Sequence, residues 1–361
     1  MKKTDSLAVT LALLAAFFFG VSTPLSKTLI DELNPFLLAG LLYLGAGAGL
    51  SVWTLLRSGR NKAALSAIGA GSSATGRLLP AGKIKYKYIV GMVVSGGLLG
   101  PVFLMAAVKM APAASVSIWL NMELVATAFL GHFFFKDHLD RRGWFSVALS
   151  LAAGLLLSWS GGIAGFKAGL LVALACFSWG FDNHFTALID DLSPTQSTIL
   201  KGLAAGTTNL LIGLALAGSA PAAAVTGKAL AVGFLCYGLS ITFYIAAAQK
   251  LGAVRSQLIF STSPLFGVFL AVLALREGLS AAQVVSGALL FASVWLMLAE
   301  KHSHAHGHEA MEHSHSHAHD DLHHGHPHDG PPAGPHSHLH RHEPAEHEHP
   351  HWPDLHHRHG H

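Results

Sequence analysis

APAASVSIWLNMELVATAFLGHFFFKDHL, residues 111–139, aligns with LGAVRSQLIFSTSPLFGVFLAVLALREGL, residues 251–279, at an offset of 140. Ala113 meets Ala253, Phe129 meets Phe269, Leu130 meets Leu270 and Leu139 meets Leu279. The basic–acidic pair Lys136-Asp137 falls on Arg276-Glu277. A shorter echo lies further out: LIDELNP (29–35) and LIDDLSP (188–194) each close a long apolar segment, 159 residues apart. The chain reads as two related halves.

Runs of about 20 apolar residues span a bilayer core. Hydrophobic residues make up 51% of the chain, although its last sixty residues are polar. Ten apolar runs stand out, at roughly 7–29, 35–56, 87–108, 113–135, 143–160, 168–188, 195–217, 229–249, 254–275 and 281–299. Leu, Ala, Gly and Val dominate them, with Trp near several ends, as in membrane helices. The short alternating strands of a membrane barrel are absent. The first run follows Met1-Lys2-Lys3 but is long for a signal peptide and lacks a small-residue cleavage site, so it reads as a retained helix. Cys176 and Cys236 lie inside apolar runs and read as packing residues, with no disulfide framework.

Lys and Arg sort by loop. Fourteen fall on the side of the termini and five on the other, with the basic loop 57–87 dominating the difference. The richer side is expected to be cytoplasmic. Five helices per half is an odd number, so the second half enters the membrane the opposite way up. The expected fold is an all-α membrane protein of ten transmembrane helices in two inverted five-helix repeats, residues 1–160 and 161–301. A disordered cytoplasmic tail, 302–361, follows.

LNMELV (120–125), STSPLF (261–266) and the segment ends FFFKDHL and LALREGL carry a family resemblance. Residues 5–300 resemble the EamA-like branch of the drug/metabolite transporter superfamily. The first motif is similar to the family's Asn-x-Glu-Pro, the second to its Ser-x-Pro. The two ends are similar to its Gly-Glu-Arg-Leu close. Leu124 stands where the family usually has Pro, and Lys136-Asp137-His138 replaces Gly-Glu-Arg. The resemblance implies a secondary transporter and leaves the solute open, because the family carries many kinds.

Ionisable groups at bilayer depth are costly and call for a reason. Glu123 lies midway along the fourth segment. It reads as a substrate ligand or proton-coupling carboxylate, or as a structural carboxyl bonded to Asn121 or a hydroxyl. Asp182, Asn183 and His184 lie in the inner half of the sixth segment. Successive residues diverge by about 100°, so all three cannot face one cavity. A carboxylate with an imidazole suits a divalent metal or a proton relay, and a capping and packing cluster is the alternative. Lys201, two turns into the seventh segment, is a partner for Asp182 or Glu123. Ser22-Thr23-Pro24 and Ser263-Pro264 remove backbone hydrogen bonds inside the first and ninth segments, and interrupted helices often mark a transporter's site. Tolerated kinks are the other reading. His132, Trp119 and Trp179 read as packing residues.

The tail holds twenty-three of the twenty-six histidines. His302, His304, His306 and His308 alternate, as do His313, His315, His317 and His319; His323, His324, His326 and His328 follow. Neutral imidazole binds Zn, Ni and Co, and Cys is absent here. The segment cannot bury a core and is expected to be disordered without a ligand. A low-complexity expansion and a pH sensor are the competing readings.

No phosphate-binding Gly-rich loop and no nucleophile–base arrangement is present, which argues against an enzyme and against any required cofactor. The expected partners are the bilayer, a small solute and a divalent metal at the tail, with a homodimer open and no nucleic acid. The expected place is the cell membrane, with both termini cytoplasmic. The leading reading is a permease or exporter of small organic solutes with a metal-binding tail. A Ni, Co or Zn exporter fed by the tail is second, and a membrane metal sensor or store is third.

Overall fold

The computed structural model of the chain describes residues 3–58, 86–134, 141–187, 189, 192–251, 259–298, 302–308, 311–317, 336–342 and 345–351. The chain divides into two compact units, the helical part and the tail. The helical part opens with α1 (Lys3–Lys27) and α2 (Pro35–Ser58). Next come α3 (Tyr86–Met92), a π-helical segment (Val93–Leu99) and α4 (Gly100–Met110) in one stretch. α5 (Ala113–Trp119) and α6 (Met122–Phe134) form another. α7 (Arg141–Ser160), α8 (Gly162–Ala187) and α9 (Pro194–Ala217) are continuous. α10 (Ala223–Val232), a second π segment (Gly233–Leu239) and α11 (Ser240–Leu251) follow. α12 (Ser263–Leu275) and α13 (Ala281–Leu298) close the unit.

Eight of these stretches are long and apolar enough to cross a membrane, and two shorter apolar helices, Ser263–Leu275 and Ala281–Ser293, come last. The beginning of the expected ninth span, 252–258, lies outside the described residues. Large apolar side chains such as Leu56, Trp159, Leu170, Leu216 and Phe269 are exposed. Many small and polar ones, among them Ser22, Ser146, Ser150 and Ser293, are buried. Lipid tails are as apolar as Leu, so helices associate through small residues and interhelical hydrogen bonds rather than by hiding hydrocarbon from water.

The packing follows that rule. α2 lies against α9 so closely that a Cβ on Gly202 would sit 2.7 Å from the Gly47 nitrogen. Ser146 and Ser150 on α7 share hydrogen bonds of 2.6–2.8 Å with Ser293 on α13. α9 starts at a capping box between Ser193 and Gln196 and ends at Gly218 with φ of 68°, a left-handed stop that glycine adopts at no steric cost.

The halves repeat one another in detail. The two π segments are 140 residues apart, the offset of the sequence match. The helical stretches of 113–134 and 259–275 both break, at Leu120-Asn121 and at Ser261-Thr262. α4 and α6 pack on α8, while α11 and α12 pack on α1. The expected interruption at Pro24 is not found: α1 is continuous through it to Lys27. Pro24 stands in the last turn, where it removes the one bond its N–H would have given to the Gly20 carbonyl and the helix ends three residues later. The broken pair is therefore in the fourth and ninth spans, and not in the first and ninth.

In the tail, β1 (His302–His308) pairs antiparallel with β4 (Ala345–His351), and β2 (Met311–His317) with β3 (His336–His342). The alternation His-x-His has the period of a strand, so each ladder puts histidines opposite histidines: His304 faces His349 in register, and His315 faces His338. His319, His323, His324, His326 and His328 lie outside the described residues.

One contact joins the halves at the end of the bundle away from the termini. Arg276 takes a left-handed φ of 55° after α12. The Glu277 carboxylate beyond it then accepts from the backbone N–H groups of Ala113 (2.8 Å) and Ala114 (2.9 Å) at the start of α5. Two charge-assisted bonds to otherwise unpaired helix donors hold the broken span in place. Glu277→Ala is expected to lower stability by about 2 kcal/mol, and Glu277→Gln by roughly half of that, because the amide offers one acceptor and no charge. Thermal unfolding of the detergent-purified protein measures it, and an unchanged midpoint in both variants would remove the clamp.

Candidate functional site

The two breaks meet. A narrow cleft of about 20 Å³ lies between them, with Asn121 and Glu123 on one side and Ser261, Ser263 and Pro264 on the other. Phe19 from α1 and Phe260 complete its aromatic wall, their ring centroids 5.2 Å apart. Tyr244 stands 4.8 Å behind Phe260, and Trp179 lies 6.2 Å from Phe19. Asn121 and Glu123 precede Ser261 and Ser263 by the same 140 residues. Equivalent positions of the two halves thus line one cavity, as at the repeat interface of many transporters.

Local chemistry places these groups. Asn121 sits in the break, where its amide donates to the Ile118 carbonyl at 3.2 Å. The same carbonyl accepts the Asn121 backbone N–H at 3.2 Å, so the residue closes the end of α5 twice over. Glu123 follows in the first turn of α6, where a carboxylate is favoured by the helix dipole. Pro264 begins α12 within its first two positions, where its missing N–H costs nothing. The Glu123 carboxylate accepts one long hydrogen bond, 3.4 Å, from Asn183 Nδ2, which also reaches Thr127 Oγ1 at 3.2 Å.

The three consecutive residues of α8 diverge as helix geometry requires. Asn183 turns to Glu123. Asp182 turns to Lys201 on α9, whose Nζ lies 2.6 and 2.5 Å from the two carboxylate oxygens. Thr186 Oγ1 adds a bond of 3.1 Å to Asp182. His184 is buried with its Nδ1 2.7 Å from its own helix's Gly180 carbonyl. The carboxylate–imidazole site expected from Asp182 and His184 is therefore not formed. Among the described residues no group of three His, Cys, Asp or Glu side chains could hold a metal.

The first π segment houses the ion pair. A Cβ on Gly96 would fall 2.2 Å from the Asp182 carboxyl, and one on Gly97 would press on the Lys201 stem. The π turn leaves carbonyls open to side chains. Gly96 O accepts from Tyr43 OH at 2.7 Å and Trp179 Nε1 at 3.1 Å, and Gly97 O accepts from Asn209 Nδ2 at 3.2 Å. Trp179, read from sequence as packing, is also this structural donor. π turns of this kind recur at functional sites.

Ser22, Thr23 and Pro24 are buried in α1, but the cleft takes only Phe19 from that helix. The hydroxyls of Thr23, Ser26, Ser117 and Ser286 are buried without a hydrogen-bond partner. Sequence reasoning missed Phe19, Phe260 and Ser261. Ser261 was legible as the counterpart of Asn121 at the offset of 140; the aromatic residues carry no such signal among twenty phenylalanines.

Comparison with known proteins fits this geometry. The sequence pattern of the EamA-like transporter family matches residues 6–159 and again residues 166–299. An "uncharacterized transporter" of Methanothermobacter thermautotrophicus is 23% identical over 294 residues, covering 78% of this chain and 83% of that protein. A probable 4-amino-4-deoxy-L-arabinose-phosphoundecaprenol flippase subunit, ArnE, of Pseudomonas fluorescens is 46% identical over 39 residues. That match covers 11% of this chain and 34% of the subunit. A solved structure titled only "Crystal structure of protein" superposes with a TM-score of 0.53 at 18% identity. It covers 80% of this chain and 95% of the other, a likeness of fold.

The ion pair is a sharp test of the site's construction. Its side chains are 9% and 11% exposed. Removing one partner strands a charge in a low-dielectric interior, which costs about 3–5 kcal/mol, whereas removing both together is often neutral. Lys201→Met is expected to lose folded yield or melt markedly earlier, and Asp182→Asn with Lys201→Met to recover most of that loss. Thermal unfolding of the two variants beside the wild type reads it, and additive losses would contradict the pairing.

Proposed function

As this chain belongs to the EamA-like transporter family, we propose that it is a secondary transporter of small organic solutes and that the solute binds in the cleft beside Glu123. The observation that supports the reading most is the convergence of two broken helices, one from each half, on a single cavity holding an under-bonded carboxylate. Broken helices expose backbone groups at membrane depth only where they line a cavity. The correspondence of π segments, breaks and packing between the halves suits two inverted five-helix halves that rock about this cleft. Asn121, Glu123, Ser261 and Ser263 would hold the solute, and Asn183 would orient Glu123. The Asp182–Lys201 pair would tie α8 to α9 without leaving net charge.

A core site for a transition metal lacks support, because no cluster of ligands assembles among the described residues. For the tail we propose binding of Zn, Ni or Co as store or regulator. What supports this is the histidine-on-histidine register of both ladders; neutral imidazoles are good ligands for these ions. By the charge sorting, both termini and the tail would face the cytoplasm of a cell membrane.

Transport tests the first proposal. Purified protein in liposomes is offered radiolabelled amines, amino acids, organic acids, sugars and Ni, Co and Zn. At least one organic solute is expected to accumulate, and Glu123→Gln, still folded by its melting curve, is expected to abolish that flux. Metal flux alone would overturn the organic reading. For the tail, a chain truncated to 1–301 is expected to keep its melting midpoint and its solute flux while losing nearly all Zn and Ni binding by equilibrium dialysis. Equal metal binding by the truncated chain would refute a metal-binding tail.

A further inference from the structure

We infer that the cleft selects solutes carrying a protonated amine, with the Glu123 carboxylate as the anionic partner and the aromatic wall as the seat of the cation. This rests on the solute-site reading above and names its chemical class.

The charge balance points there. Glu123 is the one ionisable residue among those lining the cleft. Among the described residues its hydrogen-bond partner is an amide at 3.4 Å, the outer limit of a hydrogen bond, while a carboxylate can accept about four. Lys201 acts on Glu123 electrostatically, but Asp182 acts on it with the opposite sign. Both Asp182 oxygens lie within 2.6 Å of the lysine nitrogen. The pair is therefore closed on itself, and Lys201 has no free charge to give. Among the lining residues nothing basic offsets the carboxylate.

The walls agree with that charge. Phe19 and Phe260 line the cleft at a tilted 41°. Aromatic faces attract cations, most strongly where water is excluded. An ammonium entering beside Glu123 meets a carboxylate, ring faces and the oxygens of Asn121, Ser261 and Ser263, which accept its remaining N–H groups. A carboxylate-bearing solute would meet like charge in a low-dielectric space, and a neutral one would leave the Glu123 charge without an opposite charge beside it. The enclosed space is about 20 Å³, room for one water-sized group, which suits the ammonium head of a solute beside Glu123. A divalent metal would need several ligating side chains, and among the described residues Glu123 belongs to no group of three such side chains.

The experiment uses the full-length purified protein in detergent and three probes of one shape: phenethylamine, 2-phenylethanol and 3-phenylpropionate. Binding of tritiated phenethylamine is measured by scintillation proximity, with the other two as competitors. Phenethylamine is expected to bind and to resist both competitors, and Glu123→Gln to weaken it at least tenfold without moving the melting midpoint. Absent phenethylamine binding, or binding that Glu123→Gln leaves unchanged, overturns the inference. Direct binding of 3-phenylpropionate that depends on Glu123 overturns the charge class but leaves the cleft as the solute site. Glu123-dependent amine binding in a protein that moves none of the liposome panel would overturn the transporter reading and leave this one standing.

Discussion

Hydrocarbon offers no hydrogen bonds, and that constraint shapes every part of this protein. A charge or an unpaired backbone group inside the bilayer must find its partner within the chain. The Asp182–Lys201 pair is the clearest response. It joins α8 to α9, it needs Gly96 and Gly97 to make room, and it stands beside a π turn whose carbonyls bind Tyr43, Trp179 and Asn209. Four helical stretches are fixed to one another at this point. The neighbouring Glu123 is the exception to the rule, since its carboxylate is left with one long bond.

That carboxylate stands out among the charged groups, because the other buried or helix-end charges of the membrane unit are closely partnered. The serines of α7 and α13 satisfy one another, Lys27 donates to the carbonyls of Val108 and Ala111, and Glu277 closes on the start of α5. On the proposed reading, the central carboxylate is left open for a solute from outside the chain. The breaks at Leu120-Asn121 and Ser261-Thr262 bring the opening about, because a continuous helix would bury its backbone groups in its own ladder.

Family membership and fold follow from patterns that are local in sequence: apolar runs of bilayer length, an offset of 140 between similar segments, and short motifs near 121 and 263. Histidine alternation in the tail is local too. What the patterns did not give was the location of the interruption. Ser22-Thr23-Pro24 and Ser263-Pro264 look alike as text, yet Pro24 stands in a last helical turn and Pro264 in a first one. A proline interrupts a span according to which hydrogen bonds surround it, and that depends on where the helix ends.

The sequence by itself determined a multi-pass helical membrane protein with related halves, a mid-span carboxylate at 123 and a separate polar tail. These depend on composition and period, which hydropathy and helix geometry fix residue by residue. Only the tertiary structure decided that Asp182 belongs to Lys201, that Asn183 belongs to Glu123, and that Phe19, Phe260, Ser261 and Ser263 share one cleft with that carboxylate. Those choices depend on how helices from distant parts of the chain rotate and approach. The approach is set by glycines and serines whose partners lie far along the chain, Ser240 and Ala15 being 225 residues apart, a distance over which the order of residues carries no direct sign of contact.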